Sequence, residues 1–189
     1  MHNLSLSGSH NFLIAICLVL ISWPAETARA ARVDVGVVNG MIGPVSKQFI
    51  ESCLETAVEQ GSDLVVIQLD TPGGLLETTR ELVKSLLASR IPVAVYVAPS
   101  GSRAGSAGVF ITMAAHIAAM APGTNIGAAH PVSVGFGGDD SASVMSGKIL
   151  NDTAAFIKTI TSQRDRNVAW ADSAVRYSVS ITEREALER

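Results

Sequence analysis

The sequence predicts an α/β domain with a mostly parallel β-sheet flanked by helices. Strand-like and helical segments alternate along the chain, and this order builds parallel strand–helix–strand units. Segment 63–70, DLVVIQLD, is a continuous apolar run, as expected of a strand buried on both faces. Hydrophobic residues make up 48% of the 189 residues but aromatic residues only 5%, so we expect an aliphatic core.

The first half of the chain supplies three strands separated by two helices. Pro44 lies near the start of the first helix and Gly61 follows its end, which are favoured positions for these residue types. The sequence TPGG interrupts the chain after the second strand, and a helical period follows it. In order, the elements are a strand at 33–40, a helix at 43–61, a strand at 63–70, a helix at 75–90 and a strand at 92–98.

The second half of the chain is richer in loops. We predict a flexible loop at 99–105, a helix that begins at Ser106, a short strand and turn at 116–127, and a long Gly- and Ser-rich loop at 130–147. Segment 148–166 is an amphipathic helix, and Thr182 with Glu185 has the spacing of a capping box that starts a last helix. The apolar face of the amphipathic helix comprises Ile149, Thr153, Phe156, Ile157 and Ile160.

The first thirty residues read as a secretory signal. An apolar run at 11–23 is shorter than the roughly 20 residues that cross a bilayer. Pro24 ends this run, and Ala28 and Ala30 have small-x-small spacing, so we expect cleavage after Ala30 and a mature domain at 31–189. Because the leading segment has no Lys or Arg, an uncut membrane anchor is the alternative. Either interpretation places the domain outside the cytoplasm, and the ending within a helix suggests a fragment of a longer protein.

Charge and cysteine content exclude several classes of protein. The net charge is −3 and the sequence has no basic patch, so we expect no nucleic-acid partner. After loss of the signal Cys53 is the only cysteine, so no internal disulfide can form, and we expect a small buried residue. No group of His, Cys, Asp and Glu has zinc-site spacing, so we expect no metal and no cofactor.

Ser106 is the candidate nucleophile. It lies between Gly105 and the Ala107-Gly108 pair, where a loop becomes a helix. A helix N-terminus supplies free amides that favour a developing anion, and glycines allow close approach of backbone or substrate. On the residues alone, a helix N-cap is the simpler interpretation of this serine.

A serine nucleophile needs a base, and the mature chain offers two histidines and four lysines: His116, His130, Lys47, Lys84, Lys148 and Lys158. His130 begins the long loop, and Lys148 begins the amphipathic helix just after it. A lysine base must be neutral near pH 7; a helix N-terminus favours loss of the proton, whereas Asp152 one turn later opposes it. A solvated Lys148–Asp152 ion pair is the simpler interpretation of the spacing.

Three segments resemble one family. LDTPGG, GSRAGSAGVFITMAAHIAAMAPGTNIGAAHP and KILNDTAAFIKTI are similar to the N-terminal protease domain of NfeD-type membrane serine proteases. That family belongs with the Clp proteases and signal peptide peptidase A in one superfamily. The resemblance covers nearly the whole chain from residue 33 and implies a Clp-protease/crotonase-like fold.

The resemblance also implies a Ser–Lys dyad. It makes Ser106 the nucleophile and Lys148 the general base, with the amides of Gly74 and Ala107 as the oxyanion hole. His130 is the rival base, by analogy with the Ser-His-Asp triad of Clp proteases, and only position suggests Asp139 or Asp140 as its acid. Otherwise His130 lines the substrate site, as do Gly73 and Gly105.

For substrates and partners, the resemblance implies cleavage of hydrophobic segments of membrane-associated proteins, with stomatin-like membrane proteins as associates. It implies at least a homodimer on the periplasmic or extracytoplasmic face of the membrane. The family's C-terminal transmembrane helices and small β-barrel have no counterpart in this sequence. A non-catalytic scaffold in a stomatin-type assembly and a crotonase-type acyl-coenzyme A enzyme are the alternative functions.

Overall fold

A four-stranded parallel sheet organises the domain. The computed structural model describes residues 30–132 and 140–189, with side chains left undescribed at 140–143; the predicted signal and the middle of the predicted long loop lie outside these residues. The strand order is β1-β2-β3-β5, and all neighbours pair in parallel, as predicted. These strands are β1 (Val33–Asn39), β2 (Leu64–Asp70), β3 (Val93–Val97) and β5 (Ile117–Met120).

One face of this sheet is covered and the other is open. Val65, Ile67 and Leu69 of β2 are fully buried, and the residues between them are only partly buried. The prediction that this strand is buried on both faces is therefore wrong. On edge strand β1, the side chains of Val35 and Val37 are exposed on the open face. The helices are α1 (Pro44–Gln60), α2 (Leu76–Leu87), α3 (Ala107–Ala114), α4 (Asp140–Gln163), α5 (Val168–Arg176) and α6 (Glu183–Leu187).

A second, three-stranded sheet brings distant segments together. Strand β4 (Arg103–Gly105) pairs in parallel with β6 (Asn125–Gly127), which pairs antiparallel with β7 (Ser180–Thr182). The sequence-based prediction of a flexible loop at 99–105 misses β4, and α5 and β7 were not predicted either. Each of these strands has only three residues, and its pairing partner, rather than its composition, makes it a strand.

The C-terminal part of the chain confirms two sequence patterns. Thr153, Ile157 and Ile160 on α4 are buried in the core, as the predicted apolar face requires. The Thr182 amide donates to the Glu185 carboxylate at 2.8 Å, which confirms the capping box at the start of α6. Helix α4 begins at Asp140, earlier than predicted. No helix in the described ranges combines the length and the apolar character that crossing a bilayer requires.

Candidate active site

Ser106 lies on a strained turn between β4 and α3. Its φ of 49° and ψ of −107° are unusual for a residue with a side chain. Such conformations cost about 1–3 kcal/mol and occur where a site requires them. A serine held on a sharp strand-to-helix turn is the arrangement that presents a hydroxyl above a sheet for nucleophilic attack.

The Ser106 hydroxyl does not cap the helix that it precedes. The residue occupies the N-cap position of α3, but its side chain makes no capping hydrogen bond. Its amide donates to the Gly127 carbonyl at 3.0 Å, which joins the turn to β6. In the described part of the chain Oγ forms no hydrogen bond, so the N-cap interpretation does not explain this residue.

The TPGG segment lies directly against the serine. A Cβ built on Gly73 would lie 2.7 Å from the Ser106 Cβ, closer than real Cβ contacts, and the φ of Gly73 is +130°. The side chain of Thr71, which is fully buried, accepts a hydrogen bond from the Gly73 amide at 3.1 Å and donates to its carbonyl at 3.2 Å. Only glycine fits here, and Thr71 fixes its orientation.

The Gly74 amide is left free by the way this segment pairs. Ile42 donates to the Gly73 carbonyl at 2.8 Å and accepts from the Leu75 amide at 2.9 Å. In a parallel bridge of this kind the amide of the central residue points to the opposite edge, which is here the side of β4 and Ser106. A Cβ on Gly74 would lie 1.9 Å from the Ile42 oxygen, so this position also requires glycine.

Ala107 supplies a second free amide. It is the first residue of α3, and the first N–H groups of a helix have no partner within it. Within residues 30–132 and 140–189, neither the Gly74 amide nor the Ala107 amide donates a hydrogen bond. Both amides flank the Ser106 turn, which is the geometry of donors for a developing oxyanion.

Two further glycines allow the elements of the turn to pack closely. A Cβ on Gly105 would lie 2.9 Å from the Pro72 oxygen, and one on Gly108 would lie 2.8 Å from the Thr71 Cγ2. Gly105 therefore allows close approach of the protein's own backbone, and Gly108 allows close approach of the Thr71 side chain. Their packing fixes α3 against the end of β2.

Lys148 shares a face of α4 with two residues that contact neighbouring helices. Asp152 and Phe156 follow it at successive intervals of four residues, so all three lie near one face of the helix. The Phe156 ring stacks on Phe110 of α3, one turn after Ser106, with centroids 5.7 Å apart. The Lys148 side chain is exposed.

The predicted Lys148–Asp152 ion pair does not form in the described structure. The Asp152 carboxylate instead bonds to the guanidinium of Arg80 on α2. That guanidinium also lies over the Phe156 ring, 4.4 Å from its centroid. The pairing reflects tertiary structure, because Arg80 and Asp152 are 72 residues apart. The sequence analysis missed Arg80, and its position within α2 gives no local signal of this contact.

His130 lies three residues beyond Gly127, whose carbonyl accepts a hydrogen bond from the Ser106 amide. Its Nδ1 lies 3.0 Å from the carbonyl oxygen of Val175 on α5, so Nδ1 carries the proton and donates. In a Ser-His-acid triad this nitrogen would instead donate to a carboxylate. Asp139 and the side chain of Asp140 lie outside the described residues.

The far end of α3 is held by two arginines. Arg164 Nε donates to the Ala114 carbonyl at 2.8 Å, and Arg166 Nη2 donates to the Ala115 carbonyl at 2.8 Å. Cations at a helix C-terminus satisfy its carbonyls and complement its dipole. The helix that begins beside Ser106 is therefore anchored at its opposite end.

Two other reactive side chains lie away from the turn. Cys53 on α1 is half-buried, and burial together with the carboxylate of Asp34 raises the pKa of its thiol. The thiol is therefore protonated at neutral pH, in agreement with the predicted structural role. His116 precedes β5, where its Nδ1 accepts from the Val93 amide at 3.1 Å. Among the described residues, no group of three metal-ligating side chains is found.

A cavity of about 700 Å³ lies elsewhere, between the end of α3, strand β5 and helices α5 and α6. Its wall includes Thr112, Arg166 and Trp170, each with a buried polar atom that has no partner among the described residues. None of the predicted site residues lines it. This cavity is therefore separate from the strained turn, where the chemistry of Ser106 and the free amides identifies the candidate site.

Curated relatives of this chain are membrane proteins. The chain is 34% identical over 171 residues to the membrane-bound protease PH1510 of Pyrococcus horikoshii, an alignment that covers 90% of this chain and 38% of that protein. It is 31% identical over 133 residues to the membrane protein NfeD1b of Bacillus subtilis, covering 67% of this chain and 29% of that protein. The chain thus spans less than two fifths of the length of these two relatives.

Solved structures have the same fold. The serine-to-alanine mutant of 1510-N, a membrane-bound stomatin-specific protease, matches with a TM-score of 0.77 and 31% identity, covering 85% of this chain and 77% of that one. The lysine-to-alanine mutant of 1510-N in complex with a substrate peptide matches with a TM-score of 0.75 and 31% identity, covering 84% and 72%. Residues 33–188 match the family described as NfeD1b, N-terminal domain. The chain therefore belongs to the NfeD1b N-terminal domain family.

Proposed function

We propose that this domain is a serine endopeptidase in which Ser106 is the nucleophile and Lys148 the general base. The observation that carries the proposal is the strained turn at Ser106, whose hydroxyl caps nothing and lies against Gly73. The structural relatives support it, because they are named as proteases and their mutants replace a serine and a lysine.

The chemistry follows from the groups around the turn. Neutral Lys148 takes the proton from Ser106 Oγ, which attacks the carbonyl carbon of a peptide bond. The carbonyl oxygen becomes an oxyanion and accepts hydrogen bonds from the Gly74 and Ala107 amides. Lys148 then gives its proton to the leaving amine as the C–N bond breaks. The neutral Lys148 amine then deprotonates a water molecule, which attacks the carbonyl carbon of the acyl-enzyme. The ester C–O bond breaks, Lys148 returns the proton to Ser106 Oγ, and the carboxylic acid product leaves.

Lys148 is the preferred base for two reasons. The Nδ1 of His130 is already used by the Val175 carbonyl, so the described residues give His130 no acid partner. The Asp152 carboxylate is neutralised by Arg80, so it opposes a neutral Lys148 less than the sequence spacing implied. Lys148 is exposed, and we propose that bound substrate covers it during the reaction.

The substrate is proposed to be a hydrophobic polypeptide segment. The edge of residues 73–75 that faces Ser106 carries the free Gly74 amide and can pair with an extended peptide. Exposed apolar side chains adjoin this segment at Leu75, Met41 and Val45. Because 1510-N is named as specific for stomatin, a stomatin-like membrane protein is the proposed source of the segment.

The proposed setting is the extracytoplasmic face of a membrane, as a homo-oligomer of at least two copies. The predicted signal at 1–30 supports the location, and mass spectrometry of the exported protein would test cleavage after Ala30. The exposed Val35 and Val37 on the open sheet face support association of two copies, since parallel sheets are usually covered on both faces. Sedimentation of wild type and Val35→Lys would test it.

Labelling by a fluorophosphonate probe tests the catalytic proposal. We expect the folded wild type to label at Ser106, and Ser106→Ala and Lys148→Ala to lose labelling by at least about 10³-fold. Ser102→Ala, in the loop before β4, is the matched control and should label normally. A folded wild type that does not label would contradict the proposal and favour a scaffold. Labelling retained by Lys148→Ala would keep the serine hydrolase and reject Lys148.

A further inference from the structure

We propose that Arg80 is a positioning residue of this site: it holds helix α4 so that Lys148 reaches Ser106, and it neutralises Asp152 beside Lys148. The inference rests on the proposed function and adds a residue that contacts neither substrate nor the reacting atoms. Three contacts carry it, and they connect three helices that carry or adjoin the proposed catalytic groups.

The first contact links the oxyanion loop to the helix of the base. Arg80 lies on α2, the helix that follows Gly73 and Gly74 directly. Its guanidinium bonds the carboxylate of Asp152, which is one helical turn from Lys148. The Arg80 side chain is 22% exposed but the Asp152 side chain is 70% exposed, so water partly screens this pair, and its main effect is to fix the position of the two helices.

The second and third contacts link the same helix to the nucleophile. Arg80 stacks on the Phe156 ring at 4.4 Å, and Phe156 stacks on Phe110 with an interplanar angle of 16°. Phe110 is one turn after Ser106 on α3. The stack therefore fixes α4 against α2 and α3 at once, and these three helices carry or adjoin every proposed catalytic group.

Position matters strongly for the proton transfer. A base acts only within hydrogen-bond reach of the hydroxyl, and a displacement of 1 Å can lower a rate by about 10²-fold. Lys148 has a long side chain and lies about 12 Å along the helix axis from Phe156. Near Lys148, helix α4 is held by the Asp152 bond to Arg80 on α2 and by the Asn151 bond to Arg176 on α5 at 3.2 Å. Without the Arg80–Asp152 bond, this end of α4 would lose its described polar contact with α2.

Charge gives Arg80 its second effect. A free Asp152 carboxylate one turn from Lys148 would stabilise the ammonium form and so remove the base. Arg80 offsets that charge. Other charged groups on the described parts of these helices are Glu77, Glu81 and Lys84 on α2, Lys158 on α4, and Asp172 and Arg176 on α5. Glu81 pairs with Lys47. Asp172 pairs with Lys158 and Arg176, and Arg176 also bonds Asn151.

The test measures the rate of fluorophosphonate labelling of Ser106, and kcat and KM on a peptide, as functions of pH. Arg80→Met should lower the labelling rate by about 10- to 100-fold. It should lower kcat rather than raise KM, and it should move the acid limb of the pH–rate profile to higher pH. Asp152→Asn should move that limb to lower pH. Lys84→Met, which removes a cation one turn along α2, is the matched control and should change neither.

Charge reversal separates positioning from general stability. In Arg80→Asp combined with Asp152→Arg, the new arginine is four residues from Phe156 and can stack on its ring. We expect this double variant to recover at least tenfold of the labelling rate lost in Arg80→Asp alone. Normal labelling of Arg80→Met, or a loss with an unmoved acid limb and no recovery by charge reversal, would overturn the inference.

Two further measurements cover a variant that does not fold and a wild type that does not label. Should Arg80→Met fail to fold, Asp152→Ala decides, because it breaks the bond to Arg80 while Arg80 stays in place. A lower labelling rate on the pH plateau supports the inference, and a plateau equal to that of wild type overturns it. A folded wild type that does not label would contradict the proposed function itself. A wild type that labels while the Arg80 variants label equally well would contradict only the role of Arg80.

Discussion

The backbone of Gly73 touches the side chain of Ser106 so closely that no Cβ fits between them: a Cβ at position 73 would lie 2.7 Å from that of the serine. Gly73→Ala is therefore expected to lower fluorophosphonate labelling by at least about 10²-fold, because Ser106 must move. The strained φ should also lower the free energy of unfolding by about 1–3 kcal/mol. Labelling kinetics and urea unfolding measure the two effects.

Gly40→Ala is the matched control for this change. Gly40 has a similar φ of +123°, but no atom lies within 4 Å of a Cβ built there. We expect a comparable loss of stability with normal labelling. Equal loss of labelling in both variants would show that backbone strain, rather than contact with Ser106, causes the effect.

Ser106→Gly should make the protein more stable while abolishing its activity. Glycine accepts the φ of 49° without strain, and the relief exceeds the entropy that glycine adds to the unfolded chain by about 1 kcal/mol. Ser106→Ala loses the same hydroxyl but keeps the strain, so it should show no such gain. Urea unfolding of the two variants measures the difference, and equal stabilities would argue against a strained turn.

His130→Gln should keep the labelling rate within about threefold of wild type if Lys148 is the base. The glutamine amide can still donate to the Val175 carbonyl, so the packing of α5 should survive. The comparison is with Lys148→Ala under the same conditions. A loss near 10³-fold in His130→Gln would transfer the role of base to the histidine.

Glu51 should make stability depend on acid pH. A hydrogen bond from the Ser85 hydroxyl at 2.6 Å, helped by Lys47 at 3.2 Å, lowers the pKa of this carboxyl below 4.5 despite some burial. A depressed folded-state pKa stabilises the protein above the unfolded value, and that contribution is lost as pH falls through the folded value. Unfolding between pH 3 and 7 should show this loss.

Glu51→Gln should flatten that acid slope. Glu59→Gln on the same helix is the control and should leave the slope closer to wild type. An acid slope that is unchanged in Glu51→Gln would show that the contact between α1 and α2 contributes nothing to it.

The sequence predicted the structure best where a buried apolar segment ends at a glycine or proline. Strands β1, β2 and β3 and helices α1 and α2 were predicted within a few residues, because apolar runs end at glycine and proline positions such as Gly61 and Pro72. Strands β4 and β7 were missed. Each exists because it pairs with β6, and β7 lies more than 50 residues along the chain from β6.

In the candidate site, too, some features could be predicted from local sequence and others depend on tertiary packing. Glycine spacing was enough to single out the turn at Ser106, but its φ and its contact with Gly73 depend on the folded backbone. Local spacing predicted an ion pair between Asp152 and Lys148, whereas in the folded domain Asp152 pairs with Arg80. A helical interval identifies which groups can meet, and tertiary packing decides which of them do.

The arginine pair at the end of α3 has a consequence for survival of the enzyme. Arg164 and Arg166 tie down the last carbonyls of the helix that leads from Ser106. The proposed peptidase can cleave other copies of itself, and such cleavage occurs at chain segments that unfold transiently. A helix whose C-terminal end is anchored unfolds less readily and exposes fewer peptide bonds to cleavage. We therefore expect self-digestion to begin in other segments and to reach the segment around Ser106 late.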